Sequence, residues 1–386
     1  MITNTRTKVR IVYLIAGTFN AGGMERVLTN KANWLVQHGY EVAIITTDQR
    51  GRAPYFSLHP AIQTYDLSIN YDTDNGHLIS KLIRFPFKQW RHRRRLTALL
   101  KQIKADITIC MFNNDVSFAY KIKDGSRKFL EIHFSKQKKL QYHRRGLWRL
   151  ADLLRTRLEQ QWVRHYEHFV VLTHEDKALW GDLPNICVIP NARTFTSAVP
   201  ADLHSHQVLA VGRMDYQKGF DRLIDIWKSV HEVQEAQEVL QEWQLVIVGD
   251  GPLRHELQKQ VEQLGLLESV QILQPTSDIQ SLYVHSSIVV LTSRYEGLPM
   301  VLLEAQAFGL PIVAFACQCG PRDIITDGVD GYLIPDGDNN LFAERLGQLM
   351  ESEELRNRMG TQARKASEQF NEELVMKKWE DVFVNL

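Results

Sequence analysis

Short apolar segments alternate with amphipathic helical stretches along the whole chain, and this alternation limits the fold more than any other feature. Each apolar segment has the length and flanking residues of a buried β-strand. In the first half we predict strands at Val9–Ala16, Glu41–Thr47, Ile107–Met111, Phe129–His133, Phe169–Leu172 and Cys187–Pro190. In the second half we predict strands at Val208–Val211, Leu245–Val248, Val270–Leu273, Ile288–Leu291 and Ile312–Phe315. Strands that alternate with helices predict an α/β fold with parallel sheets.

The length of the chain, 386 residues with 44% hydrophobic content, is suited to two domains. We predict a first Rossmann-like domain over residues 1–191, a linker over 192–206, where the periodicity is lost, and a second Rossmann-like domain over 207–368. Residues 369–386 carry a helical apolar stripe. Ligands of such sheets bind beyond the carboxyl ends of the strands, so we expect the site in a cleft between two facing sheets.

The net charge of +1 conceals a division between the two halves of the chain. Residues 1–190 contain 30 lysines and arginines against 16 acidic residues, whereas the remainder contains 16 against 29. The basic excess is concentrated in Lys81–Arg95 and Lys136–Arg164, where aromatic residues are interspersed. Two interpretations stay open: an anionic lipid surface that these segments contact, or solvated helix faces with the aromatic residues turned to the core. No motif accompanies the charge that would indicate nucleic acid.

Localisation and metal content are constrained by what the sequence contains. No apolar run reaches about 18 residues, the length that a spanning helix needs. The first residues lead directly into a predicted strand, so we expect a cytoplasmic protein, with peripheral attachment to the inner face of the plasma membrane as the extension of the lipid interpretation. Cys317 and Cys319 lack the further ligands that a zinc site requires, so we predict no metal there.

The segment Ser293–Glu304 joins a predicted strand to a predicted helix and contains two carboxylates, Glu296 and Glu304. Pro299 suits the first helical position, and Gly309 suits the helix end. Unpaired amides and the positive dipole end at a helix start favour phosphate, so we predict a cradle made by the amides of Gly297, Leu298 and Met300. Glu304, one turn on, is placed to accept hydrogen bonds from hydroxyls. Together these groups suit a diphosphate beside sugar hydroxyls.

Glu-Gly-Leu-Pro with a second glutamate eight positions after the first resembles the motif of retaining family 4 glycosyltransferases, which have the GT-B fold. The resemblance extends over nearly the whole chain, most specifically over residues 208–335, and is to enzymes of bacterial lipopolysaccharide, capsule and exopolysaccharide synthesis. It implies two Rossmann-like domains with parallel sheets that face across a cleft. It also implies that the C-terminal helix crosses back to pack on the first domain.

The resemblance assigns residues to the second domain. The segment Gly212–Gly219 follows a strand and resembles the family's arginine and lysine pair, so Arg213 and Lys218 are predicted to stabilise the departing diphosphate. Gly249 and Gly251 are predicted to line the nucleotide pocket, although a tight turn and helix cap account for part of that motif. By the same resemblance, Glu304 holds the ribose and Glu296 contacts hydroxyls of the transferred sugar.

Two motifs in the first half complete the predicted site. Gly22 and Gly23 resemble the family's glycine loop near the donor diphosphate or acceptor hydroxyl, and a plain glycine-rich turn is the alternative. His133, at the end of its predicted strand, matches the family's histidine that hydrogen-bonds the donor sugar, and a structural histidine is the alternative. The pair Asp72 and Asp74 is interpreted as a polar turn and not as a metal site, and we predict a metal-independent reaction.

The predicted function is therefore transfer of a sugar, with retention of anomeric configuration, from a nucleotide-diphosphate sugar to a lipid-linked or polysaccharide-precursor hydroxyl. UDP is preferred over GDP on family frequency, and the nucleotide sugar is a co-substrate, so no cofactor is expected. Departures from the family pattern at Ile189–Ala192 and Leu273–Pro275 affect loop geometry and nucleotide identity. Two alternatives stay open: a nucleotide-sugar epimerase of the same fold, and a catalytically silent binding subunit of a polysaccharide assembly complex.

Overall fold

The computed structural model describes residues 8–74, 78–138, 146–195, 199–233 and 242–384. Within these ranges the chain divides into two compact units. The first unit contains the described residues up to 172 together with 177–189 and 376–384. The second unit contains residues 173–176 and the described part of 190–375. Each unit is built on its own parallel sheet.

The described residues form thirteen strands and twelve α-helices, numbered here in chain order. The strands are β1 Arg10–Ile15, β2 Glu41–Thr46, β3 Gln63–Asp66, β4 Ile107–Cys110, β5 Arg127–Glu131, β6 His168–Val171, β7 Ile186–Val188, β8 Gln207–Val211, β9 Gln244–Val248, β10 Val270–Leu273, β11 Ile288–Leu291, β12 Ile312–Phe315 and β13 Gly331–Ile334. The helices are α1 Gly23–Gln37, α2 Leu78–Ile103, α3 Leu147–Trp162, α4 His174–Trp180, α5 Phe220–Val233, α6 Arg254–Gln263, α7 Ile279–Val284, α8 Met300–Phe308, α9 Pro321–Ile324, α10 Asn339–Glu351, α11 Glu353–Ala366 and α12 Glu372–Val384.

Both sheets have the strand order of a doubly wound fold. The first runs β3-β2-β1-β4-β5-β6-β7 and the second β10-β9-β8-β11-β12-β13, with every pair parallel. In each sheet the chain first winds outward on one side and then crosses to the other. The two switch points lie between β1 and β4 and between β8 and β11. Ligands of such sheets bind outside the carboxyl ends of the strands at these points.

Each unit has a separate hydrophobic core between its sheet and its helices. In the second unit, Trp227, Trp243, Phe315 and Phe342 are almost fully buried against the central strands. In the first unit a corresponding cluster includes Phe169 together with aliphatic side chains of β1 and β2, such as Leu14 and Ile45. The central strands are buried along their whole length, as parallel strands covered on both faces must be. Rigid strand ends are thus available to position site residues.

The prediction of two Rossmann-like, parallel-sheet units is confirmed, and the differences lie at the margins. Strands β3 and β13 were not predicted, because β3 is a polar edge strand and β13 begins with Gly331 and is only partly buried. Residues 201 and 202, inside the predicted linker 192–206, hydrogen-bond through their backbones to the second unit at Phe308 and Val284. Among the described helices, none combines the length and the apolar character needed to cross a bilayer.

The last helix, α12, connects to the first unit through its apolar side chains. Trp379 covers the ammonium of Lys31 at 4.0 Å from the ring centroid, and Phe383 stacks on Phe129 of β5 with centroids 6.2 Å apart. The hydroxyl of Tyr40 donates a hydrogen bond to Glu380 at 3.1 Å. The helical stripe predicted near the C-terminus is therefore the face with which α12 returns to the first unit.

Candidate active site

Glu296 is at the centre of the best-defined polar cluster of the second unit, in the loop after β11. Its Oε1 accepts hydrogen bonds from Lys218 Nζ at 2.7 Å and from Ser293 Oγ at 2.6 Å. Its Oε2 accepts one from Gln217 Nε2 at 3.3 Å. The side chains of Glu296 and Lys218 are only 6% and 17% exposed. The carboxylate therefore accepts hydrogen bonds from three donors, one of them a cation.

The Lys218–Glu296 pair lies at the switch point of the second sheet. Lys218 belongs to the loop that follows β8, and Glu296 to the loop that follows β11, the strand next to β8. A backbone hydrogen bond of 2.7 Å from Arg294 to Gln217 ties these two loops together. Two residues predicted from motifs 78 positions apart are thus in direct contact.

Arg213, the predicted partner of Lys218, has a different environment. Its side chain is 72% exposed, and its Nε lies 2.9 Å from Asp215 Oδ2. The structure therefore brings Lys218, and not Arg213, against Glu296. An exposed guanidinium tethered by one carboxylate can exchange that partner for phosphate at little cost, because exposed ion pairs contribute only about 0–1 kcal/mol.

Gly249 and Gly251 bring the loop after β9 against the loop after β8. A Cβ on Gly249 would lie 1.9 Å from the carbonyl oxygen of Gly212, and one on Gly251 would lie 2.4 Å from that of Met214. Met214 also donates a backbone hydrogen bond to Asp250 at 2.8 Å. Backbone packing accounts for both glycines, and a contact with the nucleotide stays a prediction.

The helix α8 begins one residue later than predicted. Pro299 is the residue that precedes the helix, with extended backbone angles of −71° and 102°, and no side chain caps the first turn. The prediction that Pro299 occupies the first helical position is wrong by that one residue, because its ψ angle keeps it outside the helix. Gly309 ends the helix in the left-handed conformation, as predicted. The phosphate cradle of Gly297, Leu298 and Met300 stays a prediction.

Gly320 holds the turn before α8 in place and was not predicted. It has a φ of +104°, and a Cβ there would lie 2.4 Å from Pro299 Cδ and 3.2 Å from the carbonyl oxygen of Gly297. The backbone of Glu296 also donates a hydrogen bond to Gln318 at 3.0 Å. The loop after β12 therefore packs against the turn before α8, and only glycine fits at residue 320 without strain.

Glu304 is buried on the inner face of α8. Its Oε2 accepts a hydrogen bond of 2.8 Å from the hydroxyl of Tyr283, a fully buried residue of α7. Tyr283 in turn stacks on Phe308 with ring centroids 5.2 Å apart. Glu304 and Glu296 thus have unlike surroundings, and the ribose contact assigned to Glu304 stays a prediction.

Two arginines that the sequence did not single out support the loop after β11. Arg222 of α5 donates to the carbonyl oxygens of Thr292 and Ser293 at 2.8 and 2.7 Å, and its guanidinium lies 4.4 Å from the centroid of Phe315. Arg294 binds both oxygens of Asp221, at 2.9 and 2.5 Å. Burial raises the pKa of Asp221, but the hydrogen bonds and charge of Arg294 outweigh burial and lower it. No motif predicts these contacts, because each joins distant parts of the chain.

In the first unit, Gly22 and Gly23 form the start of α1. Gly22 precedes the helix, and a Cβ on it would lie 2.2 Å from Glu25 Oε2. Among the described residues, no atom lies within 4 Å of a Cβ placed on Gly23. Local packing therefore does not require glycine at residue 23, whereas a ligand that approaches the backbone would.

His133 lies two residues beyond β5, so the prediction that it ends the strand is wrong. The strand stops at Glu131, and the last ladder-like bond runs from Ile132 to Val170 at 3.1 Å. The ring of His133 is buried, with Nε2 3.1 Å from Glu131 Oε1. Its Nδ1 has no hydrogen-bond partner among the described residues. A buried ring nitrogen without a partner is uncommon in folded proteins.

Comparisons with known proteins agree with this architecture. Residues 21–193 match the family model described as Glycosyltransferase Family 4, and residues 194–366 match the model described as Glycosyl transferases group 1. The amylovoran biosynthesis glycosyltransferase AmsD of Erwinia amylovora is 31% identical over 383 residues, which cover 97% of this chain and 99% of AmsD. The chain belongs to the GT-B glycosyltransferases. It is an enzyme of the glycosyltransferase class.

Two further relatives extend the comparison. The Campylobacter jejuni enzyme named GalNAc-alpha-(1->4)-GalNAc-alpha-(1->3)-diNAcBac-PP-undecaprenol alpha-1,4-N-acetyl-D-galactosaminyltransferase is 26% identical, over 96% of this glycosyltransferase and 97% of that enzyme. The crystal structure of a Staphylococcus aureus TarM mutant in complex with fondaparinux, alpha-GlcNAc-glycerol and UDP superposes with a TM-score of 0.76, 16% sequence identity, and coverage of 97% of this chain and 100% of that one. The structural match supports the fold of this glycosyltransferase.

Proposed function

We propose that this glycosyltransferase moves a sugar from a UDP-sugar to a lipid-linked or polysaccharide-precursor hydroxyl, with retention of anomeric configuration and without a metal ion. The observation that carries the proposal is the largely buried Lys218–Glu296 pair at the switch point of the second sheet. A cation and a carboxylate side by side at that point match the two needs of a nucleotide-sugar donor. The cation suits the diphosphate, and the carboxylate suits the sugar hydroxyls.

In the proposed donor site, Lys218 changes its hydrogen-bond partner when the donor binds. When the diphosphate binds, Lys218 turns from Glu296 to the phosphate oxygens, and Arg213 leaves Asp215 for the same anion. Glu296 then accepts hydrogen bonds from hydroxyls of the donor sugar. Negative charge grows on the diphosphate as the glycosidic bond breaks, so both cations stabilise the transition state more than the ground state.

The remaining predicted residues complete the proposal. The amides of Gly297, Leu298 and Met300 bind phosphate at the start of α8, and Glu304 holds the ribose. Gly249 and Gly251 shape the nucleotide pocket, while Gly22 and Gly23 allow close approach of the diphosphate or the acceptor. His133 hydrogen-bonds the donor sugar.

In this proposal the anomeric configuration is retained because the displacement takes place on the front face of the donor sugar. The acceptor hydroxyl attacks the anomeric carbon from the side on which the diphosphate leaves, and its proton passes to a phosphate oxygen of the departing group. No carboxylate nucleophile is needed for this step, and no cofactor takes part.

The donor and the acceptor are supported by relatives. The TarM complex contains UDP, which supports UDP over GDP. The name of AmsD refers to amylovoran biosynthesis, and that of the Campylobacter enzyme to a glycan on PP-undecaprenol. A polysaccharide precursor or lipid-linked glycan is therefore the acceptor class that we propose here.

A lipid-linked acceptor would reach the enzyme at a membrane, and two helices of the first unit suit such a surface. Helix α2 exposes Ile83, Phe87 and Trp90 at helical spacing. Helix α3 exposes leucines while its Asp152 and Glu159 are buried, the reverse of an ordinary soluble helix. Together with the basic excess of the first half, these faces support peripheral binding to the anionic cytoplasmic side of the plasma membrane.

Binding to vesicles tests the membrane part. We expect the protein to sediment with vesicles of phosphatidylglycerol and phosphatidylcholine and to remain free with phosphatidylcholine alone. A Phe87→Ser/Trp90→Ser variant should lose most of this binding, whereas Tyr55→Ser, which removes an exposed aromatic residue elsewhere in the same unit, should keep it. Equal binding by the two variants would contradict the assigned surface.

A thermal-shift panel of UDP-glucose, UDP-galactose, UDP-N-acetylglucosamine and GDP-mannose tests the donor site. A ligand that binds only the folded state raises stability with the logarithm of its concentration over Kd, so the preferred donor gives the largest shift. Arg213→Ala should remove most of that shift. An unchanged shift in this variant would contradict the phosphate contact. Accumulation of an epimerised donor without transfer would indicate an epimerase, and the absence of any shift would indicate a silent binding subunit.

A further inference from the structure

A row of buried polar side chains leads from the last helix of the chain to His133. Lys31 of α1 places Nζ 2.6 and 2.5 Å from the two carboxylate oxygens of Glu131, at the end of β5. The two side chains are only 5% and 2% exposed. The proposed reaction uses neither of them, and a buried ion pair is weak evidence for stability by itself.

His133 is the next member of the row. Its Nε2 lies 3.1 Å from Glu131 Oε1, within the distance of an ion pair, although the two atoms form no hydrogen bond. An ionised carboxylate at that distance favours a proton on Nε2 over one on Nδ1. Nδ1, which has no hydrogen-bond partner among the described residues, is then left with a free lone pair. A nitrogen in this state accepts a hydrogen bond from a hydroxyl.

The negative charge near the ring resides on Glu131. Burial raises the pKa of Glu131, but the charge of Lys31, the largest of the opposing effects, helps to hold that pKa below its ordinary value. Burial lowers the pKa of Lys31, and Glu131 opposes that effect. Glu25 of α1 is a second carboxyl near the ring. Burial raises its pKa, so it is less readily ionised and attracts the ring proton less strongly than Glu131 does. Without Lys31, Glu131 would face the cost of an unpaired buried charge and would take up a proton.

Trp379 of α12 closes the row at its other end. Its ring centroid lies 4.0 Å from Lys31 Nζ, and the ring of Tyr13 lies 5.2 Å from the same atom. The indole is almost fully buried. A cation over a desolvated indole face is attracted by the negative face of the ring. The last helix thus keeps water from the ion pair while it stabilises the ammonium.

We propose that Lys31 and Glu131, covered by Trp379, are positioning residues that orient His133 and present its Nδ1 as the acceptor for a substrate hydroxyl. The part that concerns substrate rests on the proposed function, in which His133 contacts the donor sugar. Helix α12 therefore has a role in the reaction, because it shields the Lys31–Glu131 ion pair, whose charge sets the tautomer of His133.

The tautomer of His133 tests the proposal without reference to activity. In the full-length protein labelled with ¹⁵N-histidine, long-range proton–nitrogen spectra at pH 8 distinguish protonated from bare ring nitrogens, and His133→Asn assigns the resonance. We expect Nε2–H with a bare Nδ1 in the wild type. In Lys31→Met/Glu131→Gln, which removes both charges and leaves none unpaired, we expect a mixture of tautomers. The same tautomer in both proteins would overturn the proposal.

Kinetics then test the substrate contact. We expect the double variant to lose at least tenfold in kcat for donor turnover while KM for the donor changes by less than threefold. Trp379→Leu should lose part of this rate and Trp379→Phe less, because Phe retains an aromatic face over Lys31. A shifted tautomer with unchanged kcat would overturn the contact between His133 and substrate. A wild type that turns over no nucleotide sugar would instead refute the proposed function, and the tautomer result would stand apart from it.

Discussion

The exchange of partners by Lys218 predicts that Glu296→Gln has opposite effects on UDP and on UDP-sugar. The negatively charged carboxylate of Glu296 competes with the diphosphate for the Lys218 ammonium, from which it now accepts a hydrogen bond of 2.7 Å. The amide keeps the shape of the side chain but removes that charge. Hydrogen bonds of charged groups contribute about 1.5–3 kcal/mol, and loss of the carboxylate charge moves the Lys218 contact from the upper towards the lower end of that range, so the competition weakens by about 1 kcal/mol. That difference corresponds to about a fivefold change in affinity.

We therefore expect UDP to bind the Glu296→Gln variant about fivefold more tightly than it binds the wild type. The UDP-sugar should gain nothing, because the variant loses the carboxylate that accepts from the sugar hydroxyls, and its turnover should fall about tenfold or more. Isothermal titration with UDP and with the donor selected by the thermal-shift panel measures both constants. The matched control is Glu232→Gln, which alters an exposed carboxylate 3.2 Å from Lys228 in the same unit and should change neither constant.

The reasoning would be refuted by weaker or equal UDP binding in Glu296→Gln. Weaker UDP binding would mean that Glu296 helps to bind the diphosphate. Equal UDP binding would mean that Lys218 does not leave Glu296 for the diphosphate. Urea unfolding of each variant separates these outcomes from a loss of fold. Because Ser293 and Gln217 also contact Glu296, the amide retains hydrogen-bond partners and the second unit should remain folded.

Three further predictions concern stability and the glycine positions. Gly23→Ala should leave the free energy of unfolding unchanged or raise it by about 0.5 kcal/mol, because the added Cβ meets no described atom. The same variant should lower kcat/KM about tenfold if the backbone approaches a ligand. An unchanged kcat/KM would mean that residue 23 is a plain turn position. Gly320→Ala should lower the free energy of unfolding of the second unit by about 1–3 kcal/mol, because residue 320 has a positive φ and lies against Pro299. Wild-type stability of this variant in urea unfolding would contradict this. Burial raises the pKa of Asp115 from 3.8 to about 6, so the native state favours the protonated carboxyl, and stability is lost as pH rises from about 4 to about 6 and levels off above that. Asp115→Asn should therefore gain up to about 3 kcal/mol at pH 8 and little at pH 4, measured by urea unfolding at both pH values, and equal gains would refute the assignment.

Most of the fold follows from local features of the sequence. The central strands β11 and β12 begin and end at the predicted residues because each is a continuous apolar run bounded by turn residues. The edge strand β3 has no such run and exists only because β2 pairs with it. Periodicity cannot predict a strand that depends on its neighbour for hydrogen bonds.

The sequence predicts the residue types of the proposed site but not the contacts between them. The motif around Glu296 and the motif around Lys218 each indicated a charged group, but the 2.7 Å contact between them depends on the order of strands β8 and β11. The pair of Lys31 and Glu131, 100 residues apart, has no motif at all. A close reading of α1 could still have noted Lys31, since a lysine on the buried face of an amphipathic helix needs a partner.

Donor turnover by Lys218→Met tests the central claim most directly. With the preferred UDP-sugar, water as the acceptor and ¹H NMR detection, the wild type should release UDP and the sugar, and the first sugar formed should have the anomeric configuration of the donor. Lys218→Met should be slower by at least about a hundredfold, the loss expected when one group that stabilises the transition-state charge is removed. Lys228→Met, which changes an exposed lysine of α5 in the same unit, should match the wild type. Equal rates for Lys218→Met and Lys228→Met, or a first product of inverted configuration, would contradict the account.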